Sequence, residues 1–429
     1  MTPLAPMPFP ESSFALTLGL LLLAPLAIAG IAVVNTGLGR SRSAMQSLLG
    51  SLVVISTAMI AFAVVGSAIA AGTNSDHVFR LAGKAWNWAG AGPLFLSGLG
   101  ASPARMQLAV LFELLSVALV VLIPWGSGAD RLRLPAGAAI AAIIGAVVFP
   151  LAAHWTWGGG WLSQLGANFS SGGGLFDGGG AASVHALGGL SALAVVWIAG
   201  PRKGKFPREG LSTAMPGHNV VYVLLGCLIA LVGWLAWNMA GSLLWLNAAP
   251  GALAVTAVNT LLSAAAALVA TFSVTRIRFG KPDASLCANG WLSGLVTSSA
   301  CAGLVSPLAA LFTGLVAGII TPLLVELFEL ALSIDDPSGA VSVHGAAGLW
   351  GLAAAGMFAP QQGQFVAQLI GVSTLLGLML PLVYFVFWLL NRVLPFRVDP
   401  DGERIGMDLH ELGGNAYPEF VVHRDESYR

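Results

Sequence analysis

Two histidines stand in nearly the same octamer, SVHALGGL at Ser183–Leu190 and SVHGAAGL at Ser342–Leu349. Each follows an aspartate by eight residues, Asp177 before His185 and Asp336 before His344. A neutral imidazole offers one donor and one acceptor, so two facing rings can share a proton and hand on a small polar molecule by hydrogen bonds. Out of water, such a pair is expected to be neutral or singly charged, and hostile to permanent cations. One histidine in an apolar helix is explained equally well by a hydrogen bond to a neighbouring helix. Two in matching octamers point to function. The aspartates each have a plainer role available. Asp335 or Asp336, in the polar run SIDDPSG, caps the helix that follows. Asp177, after SSGGGLFDGGG, either caps in the same way or stabilises a cation at the mouth of a histidine-lined path.

Aromatic residues form a second candidate group. HWTWGGGW (His154–Trp161) and GWLAWNMAGS (Gly233–Ser242) each run from an apolar stretch into Gly, Asn or Ser. An interfacial aromatic belt accounts for several of the 13 tryptophans. Indole faces also bind cations, and a serine hydroxyl accepts a hydrogen bond from an ammonium group.

The elements that must hold these residues are membrane helices. The 429 residues are 56% hydrophobic and 9% charged, with a mean hydropathy of +0.83. Eleven apolar runs are long enough to span, the first near Phe14–Val34, the eighth near Ala288–Pro307 and the last near Phe365–Leu390. The helical periods argue against a barrel, and 54 glycines suit closely packed helices. His185 opens the fifth run and His344 the tenth, so their helices cross in opposite directions. An all-α membrane protein is predicted: two inverted five-helix repeats plus an eleventh helix, with the site at the repeat interface. The domain covers residues 1–394, and residues 395–429 form a charged tail. All of the 19 basic residues except Arg80, Lys84 and Arg105 fall on the tail's side. That bias predicts a cytoplasmic C-terminus and an N-terminus outside, in a multi-pass protein of the cell's inner (plasma) membrane. The opening MTPLAPMPFPESS has no basic residue and does not look like a signal peptide. Zero net charge gives no reason to expect nucleic acid. Cys227, Cys287 and Cys301 are odd in number and irregularly spaced, against a disulfide framework or a metal site. No nucleophile or cofactor motif supports an enzyme.

HWTWGGGW, FDGGGAASVH, GWLAWNMAGS, ALSIDDPSGAVSVHGAAGLWG and the tail GMDLHELGGNAY, in this order, resemble the ammonium transporter (Amt/Rhesus) family along almost the whole chain. The resemblance implies an eleven-helix inverted repeat assembled as a homotrimer, one pore per subunit, carrying ammonium or ammonia (methylammonium as analogue) across the bilayer without a cofactor. It implies that His185 and His344 are the pore pair and Asp177 the aspartate of the recruitment site. It makes Trp157 the vestibule tryptophan, Ser242 the serine that accepts from ammonium, and Phe112 the first of two gate phenylalanines. In some members a PII-type signalling protein blocks the cytoplasmic face.

The departures lie around the gate. Residue 116, where the second phenylalanine is expected, is Ser116, and Glu113 stands where the family usually has glutamine. The family's Trp-x-x-Phe-Asn run reads Trp234-Leu-Ala-Trp237-Asn238, followed by one extra residue before Gly241-Ser242. Either Gly241 or Ser242 therefore holds the serine position. Trp237 is expected to fill the gap left at Ser116; alternatively, Ser116 admits water towards Glu113. An ammonium sensor that binds but conducts little is the competing function.

Overall fold

The computed structural model describes residues 9–72, 79–208 and 212–417; the end of the tail, 418–429, lies outside the described residues. Among these residues ten helical stretches are long and apolar enough to cross a membrane. They are α1 (Glu11–Leu38), α2 (Ser41–Ala70), α3 (Ala104–Ser127), α4 (Leu134–Thr156), α5 (Ala181–Ala199), α6 (Val220–Trp245), α7 (Pro250–Phe279), α9 (Pro307–Ala331), α10 (Val341–Phe358) and α11 (Gln364–Val393). Between α7 and α9 runs α8 (Ala284–Cys301), where the eighth span was expected. Its Asn289, Ser293, Thr297, Ser298 and Ser299 are all buried, against α6, α7, α9 and α10. A helix enclosed by protein needs no continuous apolar surface, and α8 falls short of the apolarity of its neighbours for that reason. The sequence places the sixth apolar run near Asn219–Ala240, and the observed α6 runs five residues further, as far as Trp245.

One face carries a small antiparallel hairpin, β1 (Phe79–Leu81) and β2 (Lys84–Trp86). The opposite face carries the tail helices α12 (Pro400–Ile405) and α13 (Met407–Leu412). The two faces are called the aromatic face and the tail face below.

α5 and α10 are central and touch where their glycines meet. A Cβ on Gly189 of α5 would run into the backbone of Gly345 and His344, so only glycine permits this approach. Both helices begin with a π turn, Ala181–Ala186 in α5 and Val341–Ala346 in α10. Each turn carries its histidine. The extra residue in a π turn re-aims a side chain, a device found frequently at functional sites.

Buried charge holds the tail face together. Asp335 accepts from the Arg202 backbone N–H at 2.8 Å and from its Nε and Nη2, each at 2.9 Å. Arg202 also donates through Nη1 to Asp130 at 3.0 Å. Arg131, fully buried, donates to the Asp335 and Gly200 carbonyls. Burial alone would raise the Asp335 carboxyl, but the Arg202 hydrogen bonds and the Arg131 charge outweigh it and hold it at about 2. The tail closes over this network. Glu403 accepts from the Lys203 N–H at 2.6 Å. Asp408 accepts from the Gln46 and Met45 N–H groups at 2.7 and 3.1 Å, satisfying the free donors at the start of α2.

Removing one partner of a buried ion pair leaves the other uncompensated, so Asp335→Asn is expected to cost about 3–5 kcal/mol. The folded-state pKa lies below the unfolded value of about 3.9. The contribution is therefore complete above about pH 4 and lost as pH falls through about 2. Unfolding midpoints in detergent should show a gap between wild type and variant that holds from neutral pH to about 4 and narrows as pH falls towards about 2. A gap that is absent at neutral pH would show that the network contributes nothing.

Candidate functional site

The two repeats bring their histidines together. His185 Nδ1 and His344 Nδ1 lie 3.3 Å apart, with ring centroids at 5.3 Å and planes tilted by 23°. At this distance one nitrogen carries the proton and the other accepts it, so the rings are held in opposite tautomeric roles at Nδ1. Both residues are buried, His185 completely. The other ring nitrogen of His185, Nε2, is buried without a hydrogen-bond partner among the described residues. One face of the His185 ring stacks on Trp234 at 4.8 Å and 11°. Trp234 is fixed in turn by its Nε1–H donating to Ser299 Oγ at 2.9 Å. Expected at the vestibule or gate, Trp234 thus sits against the histidine pair.

The aspartates begin the two helices in related ways. Asp177 Oδ1 accepts from the Ala182 N–H at 3.0 Å. Its Oδ2 accepts from the Ser183 N–H at 3.0 Å and the Ser183 hydroxyl at 2.7 Å. Gly180, at φ +84°, supplies the left-handed turn that lets the chain fold back over this carboxylate. Asp336 Oδ2 accepts from the Val341 N–H at 2.8 Å, and its Oδ1 from Ser127 Oγ at 2.9 Å and Ser338 Oγ at 3.2 Å. The choice between Asp335 and Asp336 is resolved: Asp336 caps α10, and Asp335 is the ion-pair partner of Arg202.

An aromatic cluster lies towards the aromatic face. Phe112 meets Trp157 at 5.3 Å and 84°, Trp237 at 5.1 Å and 52°, and Trp245 at 5.9 Å and 77°. Trp157 and Trp245 are parallel, 5.1 Å apart and within 7°. Trp157 Nε1–H donates to the Asp177 carbonyl at 2.7 Å, and Trp237 Nε1–H to the Gly179 carbonyl at 3.1 Å. The glycine loop before α5 therefore fixes both indoles and the first π turn at once.

Around the altered gate, Ser116 is buried and its hydroxyl donates to the Phe112 carbonyl at 2.8 Å within its own helix. That hydroxyl is satisfied locally. Trp237 packs against Phe112. Glu113 is buried, and its carboxylate makes no hydrogen bond among the described residues. Ser242 is buried, and its hydroxyl faces Gly303 and Thr256: a Cβ built on Gly303 would lie 2.8 Å from Ser242 Oγ and 3.2 Å from Thr256 Oγ1. Gly241, one turn after Trp237, instead faces the Gly178 carbonyl of the loop. Trp245 was missed from the sequence because the sixth span was ended at Ala240. It lies eight residues after Trp237, close to the same helix face. That spacing was the available signal.

The profile of the Ammonium Transporter Family matches residues 14–417. Ammonium transporter Amt2 of Archaeoglobus fulgidus is 33% identical, over 93% of this chain and 86% of the relative. Ammonium transporter Amt2 of Haloferax mediterranei is 30% identical, over 91% and 87%. Among solved structures, one described as a sensor Amt protein superposes with a TM-score of 0.84 at 26% identity, covering 93% of this chain and 98% of its own. Mep2 of Candida albicans superposes with a TM-score of 0.81 at 22% identity, over 97% and 92%, and shares the fold.

Proposed function

The chain belongs to the ammonium transporter family, and from that premise we propose that it recruits ammonium at the aromatic cluster, takes its proton onto the His185–His344 pair for relay, and passes ammonia along the path that the pair lines. The observation that carries this reading is the buried histidine pair, 3.3 Å apart, beside a ring-lined mouth. Trp157, Phe112 and Trp237 provide ring faces for a cation. The free Nε2 of His185 provides a partner for a molecule in transit. With the hydroxyl of Ser242 turned towards Gly303, the indole and phenyl faces carry recruitment, and Asp177 acts by holding the loop. Phe112 and Trp237 form the closure.

Potassium resembles ammonium in size, so ring faces discriminate poorly between them. A dry path discriminates well, because potassium has no proton to give up and loses its hydration without replacement. Reconstituted liposomes are expected to show ammonium or methylammonium flux without potassium flux, measured as currents and internal pH changes on concentration steps. Robust potassium currents through the unmodified protein would sink this mechanism.

The family also suggests a homotrimer in the plasma membrane, with the basic tail face on the cytoplasmic side and accessible to a PII-type protein. A second reading is favoured by the likeness to the sensor Amt structure. In it the cluster binds ammonium but conducts little. Calorimetric ammonium binding without liposomal flux would establish it over transport.

A further inference from the structure

Trp245 closes the α6 end of the aromatic cluster. Its ring lies flat on Trp157 with centroids 5.1 Å apart, an offset-stacked contact between indoles. No cation fits between rings at this separation, so the face of Trp157 turned to Trp245 is already occupied. The contact has an opposing cost. Trp245 Nε1–H is buried and has no acceptor among the described residues, and an orphaned buried donor forfeits the hydrogen bond it would make with water. Stacking favours the closed position while the unsatisfied N–H disfavours it, so the unmet donor offsets part of what the stack contributes.

The backbone on both sides of Trp245 is pinned. Arg105, in the first turn of α3, donates to the Leu244 carbonyl and, at 2.8 Å, to Asn247 Oδ1. Asn247 takes the left-handed turn that ends the segment, at φ +51°, a conformation asparagine tolerates better than most residues. With the Leu244 carbonyl and the Asn247 side chain tied to Arg105, rotation of the Trp245 side chain is the movement that leaves these contacts intact.

From these observations we infer that Trp245 is a lid on the recruitment site: it stacks on Trp157 when the site is empty and swings aside when a cation takes that face. The inference rests on the transport reading above. Ammonium must compete with an intramolecular ring, so the lid raises the concentration at which the site fills. It does so by the fraction of time the face is exposed. The lid also keeps the closed mouth dry, and on opening it gives its N–H to water. An indole N–H cannot bond to ammonium, which has no lone pair, but it can bond to water or ammonia.

Half-saturation of ammonium uptake in proteoliposomes, and calorimetric ammonium binding to the detergent-solubilised protein, test this for wild type, Trp245→Ala and Trp245→Phe. An aromatic pair of ordinary strength corresponds to a change of about 3- to 10-fold. Trp245→Ala is expected to lower both the half-saturating concentration and the dissociation constant by about that factor. Trp245→Phe weakens the stack but also loses the N–H that opposes closure, so both values should fall between those of wild type and the alanine variant. It carries the test if the alanine variant fails to assemble. Wild type that binds and moves ammonium while the folded variants keep or raise its half-saturation would overturn the lid alone. Wild type that neither binds nor moves ammonium would overturn the transport reading, and the lid with it.

Discussion

Replacing His185 with alanine is expected to reduce ammonium flux on the order of a hundredfold, the scale of losing one positioned proton-transfer group, and to admit ions that the wild type excludes. His185 lies between two rings, Trp234 stacked on its face and His344 hydrogen-bonded at its Nδ1 edge. Its removal opens a cavity beside Trp234 and leaves His344 Nδ1 without a partner. Water enters such a polar cavity readily, and a wet path no longer forces an ion to shed its hydration. His344→Ala should be milder, because His185 keeps its stack on Trp234 and gains a second free nitrogen. His185→Glu tests the proton itself, since a carboxyl group in the same place can still relay one. Paired measurements of ammonium and potassium flux in liposomes decide the matter. If both alanine variants transport and select like wild type, the pair only holds the helices together.

The pairing of these histidines was legible in the sequence because the chain writes the octamer twice, five helices apart. Inversion then places the two copies face to face. The glycines that let α5 and α10 touch are part of the same octamers, so the close approach was written there too. What surrounds the pair was less legible. Trp234 stacks on His185 through the rotation of α6 about its own axis, and apolar periodicity says little about rotation in a helix that is apolar all round. The same limit governs Ser242. One extra residue in a helix turns everything after it by about 100°. In the structure the Ser242 hydroxyl faces Gly303, while Gly241 follows Trp237 along the same face. Trp245 lay beyond the boundary drawn at Ala240, and boundaries are where apolar runs inform least. The adjacent carboxylates Asp335 and Asp336 looked interchangeable in SIDDPSG. Only Arg202, 133 positions away, separates the ion-pair partner from the cap. The count of spans fared similarly, since α8 is enclosed by protein and its apolarity does not reflect contact with lipid.

Asp177→Asn is expected to lower both transport and stability. Sequence reasoning alone expects asparagine to cap nearly as well as aspartate. Here, however, both carboxylate oxygens accept from backbone N–H groups, Ala182 on Oδ1 and Ser183 on Oδ2. An asparagine would turn its own N–H2 towards one of those donors, leaving a buried N–H unsatisfied at a cost of about 1–3 kcal/mol. The first turn of α5 carries His185, and the Asp177 carbonyl holds Trp157. A shift there moves both ends of the path, and a misplacement of about 1 Å costs on the order of 100-fold in comparable sites. Asp336 is the internal control. Its Oδ1 accepts from the hydroxyls of Ser127 and Ser338, and it has one backbone donor, Val341. Hydroxyls can reverse their roles and accept from an amide, so Asp336→Asn should keep most of its stability and transport. Unfolding midpoints and liposomal uptake, measured on the same preparations, separate cap from charge. An Asp177→Asn protein as stable as wild type but unable to transport would show that the carboxylate acts through its charge on the recruited cation. Loss of stability and transport together, with Asp336→Asn close to wild type, is the outcome the hydrogen bonds require.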